Sequence, residues 1–160
     1  MANRRHRTLS SLAFVLLVLA GRPLVAQAPP ATGEAALADF MRAVTDSNLS
    51  RMASLWGTQK GSAAKTKAPP DYERRLIVMH AFLKGNTYRL AASQPEEGED
   101  RRSFLVEFSR SGCNKVAQVR TVRSKNEGWL VNFIDLTSVP APSKPCEGRS
   151  RPPDSSRAGR

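Results

Sequence analysis

The feature that most restricts this chain is a change in hydrophobic period at Asn86. Before it, apolar residues recur at helical spacing, and after it they alternate. Leu37, Phe40, Met41 and Val44 fall at i, i+3, i+4 and i+7, and so do Leu49, Met52, Ala53 and Trp56. Each set is one stripe of an amphipathic helix. Asn48 stands where it can cap the second helix, and Gly57 stops it. "DYERRLIVMHAFLKGN" (71–86) predicts a third helix, with Asp71 as its cap and Gly85-Asn86 at its end. Its middle is apolar on more than one side, so heavy burial is expected. "TQKGSAAKTKAPP" (58–70) reads as a loop. From Thr87 onward four segments, 87–93, 102–110, 115–124 and 128–137, alternate as antiparallel strands joined by "QPEEGEDR", "SGCN" and "KNEG". Three helices followed by a four-stranded meander make an α+β chain, with one helical layer on one sheet.

The ends of the chain read differently from this middle. "MANRRHR", the apolar "LSSLAFVLLVLAG" and the Ala26-x-Ala28 pattern match the three parts of a secretory signal peptide, assigned to residues 1–28. The apolar run is short for a membrane span, so the membrane is met only if this segment stays uncleaved. An exported chain, periplasmic or secreted, is expected. Residues 29–34 form a flexible lead-in, 35–138 the domain, and 139–160 a disordered Pro- and Arg-rich tail. Removing residues 1–28 takes four arginines and no acids, leaving 21 basic and 14 acidic side chains. The high overall charge is thus partly leader and tail. No basic stripe interleaves with stacking aromatics, so a nucleic-acid partner is not expected.

"ALADFMRAVTDSNLSRMASLWG" resembles the opening helical pair of the nuclear-transport-factor-2-like superfamily, which includes polyketide-cyclase-like and ketosteroid-isomerase-like proteins. "GWLVNFIDL" resembles its last strand. The resemblance spans roughly residues 34–137 by element order. It implies a cystatin-like cone, with a strongly curved sheet around helices and a cavity between them, and many relatives dimerise through the sheet.

The turns suggest a register. "KNEG" would set Ser124 opposite Trp129 and Thr121 opposite Asn132, and "SGCN" would set Phe108 opposite Ala117. Phe104, Val106, Phe108, Val119, Thr121, Asn132 and Ile134 then face the helices. Leu105, Glu107, Arg120, Trp129, Val131, Phe133 and Asp135 face away. The strand carboxylates therefore point outward. The expected cavity offers Trp56, His80, Tyr88, Thr121 and Asn132, which can orient a ligand but make a poor proton-transfer set. No catalytic residue, cofactor or metal site is assigned. Trp56 and His80 also read as ordinary core residues, and Thr121 and Asn132 as a cross-strand pair. Leu105, Trp129, Val131 and Phe133 are too apolar for open water and are read as a homodimer interface.

Cys113 and Cys146 are expected to pair in an oxidising compartment. Extending the last hairpin brings Cys113 near Pro140, within reach of Cys146, and closing that loop is worth about 3–4 kcal/mol. The functional expectation is a non-catalytic module that binds a small apolar ligand or a protein partner. One alternative is a lyase or isomerase using His80 and Tyr88, which a cavity-facing Asp39 or Asp135 would favour. Another is an adaptor acting through the basic tail.

Overall fold

The computed structural model describes residues 28–95, 98–143 and 146. The expected signal segment, except Ala28, and most of the expected tail lie outside the described residues. Among the described residues, no helix is long and apolar enough to cross a membrane.

The first two helices form where their stripes predict. Helix α1 (Gly33–Thr45) is capped by the Thr32 hydroxyl, which accepts from the Ala35 amide at 3.1 Å. All four of its stripe residues are buried. Helix α2 (Leu49–Leu55) is capped by Asn48, whose Oδ1 accepts from the Arg51 amide at 2.9 Å. Trp56 is already extended, so the helix ends at Leu55, two residues before Gly57.

The expected loop 58–70 contains regular structure. β1 (Gly57–Thr58) and β2 (Gly61–Ser62) form a small hairpin, followed by the single turn α3 (Ala63–Thr66). A Cβ on Gly57 would overlap the Gly61 carbonyl oxygen across this hairpin, so the close approach requires glycine there. The hairpin is held from far along the chain. The Glu127 carboxylate accepts from the Ser62 amide and hydroxyl, both at 2.9 Å. A tertiary contact of this kind leaves no trace in local spacing.

Helix α4 (Tyr72–Leu83) differs from expectation in two ways. It buries one stripe only, Tyr72, Leu76, Met79 and Leu83, while Ile77 and Val78 are exposed. Asp71 does not cap the helix with its side chain. Both its oxygens accept from Arg75 Nε at 3.0 Å, which draws the carboxylate away from the free amides. The end of the helix is as expected: Gly85 has φ +82°, and Asn86 Nδ2 donates back to the Phe82 carbonyl at 2.8 Å.

Four antiparallel strands form one sheet in the order β3-β4-β5-β6: Thr87–Pro95, Arg101–Arg110, Cys113–Ser124 and Gly128–Ile134. β4 and β5 meet through a two-residue turn, Ser111-Gly112, with both φ values positive. Phe108 therefore pairs with Lys115 and Phe104 with Val119. This register is two residues tighter than the turn suggested, and an even shift leaves every side chain on its expected face.

The pairing of β5 with β6 is where expectation fails. Thr121 pairs with Val131 and Arg120 with Phe133, so Asn132 is the extra residue of a β-bulge. Beyond the bulge the expected faces hold, with Ile134 inside and Phe133 outside. Before it they are reversed. Val131 shares the side of Thr121 and is fully buried in the core, and Trp129 is also buried, its amide donating to the Pro30 carbonyl at 3.0 Å. Neither stands on the outer face as expected.

Helix α1 crosses β5 and β6, and α4 packs on α2 and α1. Between helices and sheet lies one cluster whose largest fully buried side chains include Phe40, Met52, Leu55, Leu83, Phe104 and Phe108. Packing of this kind fills space that a cone cavity would need. After β6 a 3₁₀ turn (Leu136–Ser138) leads to Val139, which is buried in the same core. The domain therefore runs past residue 138. Cys146 is disulfide-bonded to Cys113, with the Cα atoms 5.6 Å apart.

Candidate functional site

A groove of about 440 Å³ lies between α4 and β6. It is built from segments far apart in the sequence. Trp56 reaches it because it leaves α2 in extended conformation and bridges to Val131, laying the chain alongside β6. Asn132 reaches it through the bulge, and its Nδ2 donates to the Gly57 carbonyl at 2.8 Å. That bond fixes the start of the hairpin against β6. Phe133, Ile134 and Leu136 supply one apolar wall, and Val78 and Met79 of α4 supply the other. Arg74, Arg75 and Asp71 are the charged residues of the lining. The hydrogen bond from Arg75 holds the Asp71 carboxyl below its ordinary range, so Asp71 is ionised at neutral pH and neutralises Arg75.

Two of the five expected cavity residues, Trp56 and Asn132, meet in this groove. The other three are not among its lining. Thr121 is buried, and Gly33 packs so closely on its Oγ1 that a Cβ there would overlap it. It neither bonds Asn132 nor lines the groove. His80 is half-buried near the end of α4, its Nε2 enclosed without a hydrogen-bond partner among the described residues. Tyr88 lies on the edge strand β3 and is exposed. Of the expected interface residues, Leu105 and Phe133 are exposed on the outer face, whereas Trp129 and Val131 are not.

The groove residues of α4 were not singled out from the sequence. Their signal was the surplus of apolar residues in "LIVMHAFL". A helix with one buried stripe has no structural use for Val78, and the structure places it in the groove wall.

The carboxylates that would favour proton transfer are engaged elsewhere. Asp39 pairs with Arg42 at 3.2 Å and Arg51 at 3.8 Å. Asp135 closes the 3₁₀ turn, accepting from the Thr137 hydroxyl at 2.6 Å, the Ser138 hydroxyl at 2.7 Å and the Thr137 amide at 3.1 Å. Those bonds hold its carboxyl below the usual range. Glu107 pairs with Arg89 on the outer face. Among the described residues there is no group of His, Cys, Asp and Glu that could hold a metal ion.

No protein-family model matches the chain, and no curated protein matches it. Among solved structures it is similar to an NTF2-like protein of unknown function from Cytophaga hutchinsonii. That protein is 12% identical with a TM-score of 0.42, and the match covers 66% of this chain and 91% of the other. No residue role is carried across from it.

Proposed function

We propose that this chain is an exported, non-catalytic module that holds a small, largely apolar ligand in the groove between α4 and β6. The observation that carries this reading is the groove itself. Its volume of about 440 Å³ suits a small molecule, and its lining is mostly apolar with a few polar groups at defined places. Met79 and Ile134 are buried and anchored in the core, so two points of the lining are preformed. Mass spectrometry of protein purified under native conditions is expected to find a retained small molecule. Val78 is exposed on α4, so Val78→Arg is expected to fold normally and to lose that molecule. A chain that carries nothing, or that retains its ligand unchanged in Val78→Arg, would refute the reading.

The outer face supports a second reading, self-association, on a smaller patch than the alternation suggested. Leu105, Val116 and Phe133 are the large apolar groups exposed there. Glu107, Gln118 and Arg120 separate them.

A further inference from the structure

A second hollow, of about 450 Å³, lies where the hairpin stands against the outer side of β5. Asn132 borders both hollows. Among the described residues, the charged ones lining the second hollow are Lys60, Arg101 and Arg120, and no acid is among them. Among the described residues the arginines held in ion pairs are Arg42, Arg51, Arg75 and Arg89, so none of these three cations has such a partner. Glu127, the acid that meets the hairpin, has both oxygens bonded to Ser62. Arg120 is the most constrained of the three. It is half-buried, and its guanidinium carbon lies 4.4 Å from the centre of the Phe133 ring. Its Nε is enclosed with no acceptor among the described residues. An enclosed donor without an acceptor is costly, and a ligand oxygen would satisfy it.

Phe133 lines the groove and touches a residue of the second hollow. Its ring walls the apolar groove and also carries the guanidinium of the cationic hollow. We propose that the ligand is an amphipathic acid, with an apolar carbon skeleton in the groove and a carboxylate or sulfate group passing Asn132 to Arg120, Arg101 and Lys60. This rests on the reading of the groove as the ligand site. Three like charges close together repel one another, and an anion placed among them relieves that repulsion while making charge-assisted hydrogen bonds.

The test uses the full chain and two probes that share a carbon skeleton, decanoate and decanol, with binding followed by calorimetry at low and high salt. Decanoate is expected to bind about tenfold or more tightly than decanol at low salt, a difference that one charge-assisted hydrogen bond can supply. Salt should shrink that preference and leave decanol unaffected. Arg120→Gln should erase the preference, bringing the decanoate affinity down to that of decanol measured on the same variant. Lys60 is exposed on the hairpin, so Lys60→Gln should reduce the preference without touching the fold. Equal affinities for the two probes, with decanol bound, would overturn the acid while leaving the groove reading in place. A preference that survives Arg120→Gln and disappears in Arg74→Gln would place the acid at α4 and equally overturn the proposal. If neither probe binds, the groove reading fails and the acid falls with it.

Discussion

Asn132 shapes the accessible surface of this protein where the two hollows meet β6. As the extra residue of a bulge it reverses which side chains of β6 face the helices. It turns Val131 inward, leaves Phe133 outside, and borders both hollows. The segment "WLVNFI" could not reveal this. Each side of the bulge alternates correctly on its own, and a run rich in apolar residues alternates plausibly in either register. Asp135 shows the same limit. Alternation alone set it on the outer face, whereas local chemistry makes it the cap of a 3₁₀ turn. Asp135→Ala removes those hydrogen bonds and is expected to cost about 1 kcal/mol in urea unfolding. Its folded pKa is depressed, so its contribution is present above the unfolded carboxyl pKa and fades as pH falls through the folded one. The stability gap between wild type and Asp135→Ala should therefore narrow on acidification. A gap unchanged down to strongly acid pH would argue against an ionised cap.

Among the elements, the helices were legible and the hairpin was not. The stripes of α1 and α2 are long enough for their period to show, and their caps are polar residues in the expected places. β1 and β2 have two residues each, too few for any period, and they exist because Glu127 and Asn132 hold them. The candidate site inherits this contrast. Its α4 wall could have been suspected from surplus hydrophobicity. Its contact with the hairpin, made through Asn132, depends on pairing between segments 75 residues apart. The disulfide belongs at the same scale. Cys113 and Cys146 are 33 residues apart and enclose β5, β6 and the 3₁₀ turn. Cys146→Ser is expected to lower unfolding free energy by about 3–4 kcal/mol, the loop-closure value for that span. Equal denaturant midpoints for wild type and variant, both under non-reducing conditions, would show that the bond contributes nothing.

For the whole molecule, the outer face of the sheet is where a second copy is expected to dock. Leu105 and Val116 lie on neighbouring strands and are both exposed, alongside charged neighbours that can pair across a two-fold axis. Light scattering at tens of micromolar protein is expected to show a dimer, and Leu105→Glu together with Val116→Glu should return it to a monomer with an unchanged melting temperature. A monomeric wild type would leave the sheet to solvent. One further property follows from the laying of residues 56–58 beside β6. A bare border strand invites other chains to extend the sheet, the first step towards fibril growth. Here Trp56 blocks that border at Val131, and beyond it the displaced backbone at Asn132 spoils the straight template an incoming strand would need. The same few residues that shape the groove thus also guard this margin of the molecule against runaway polymerisation.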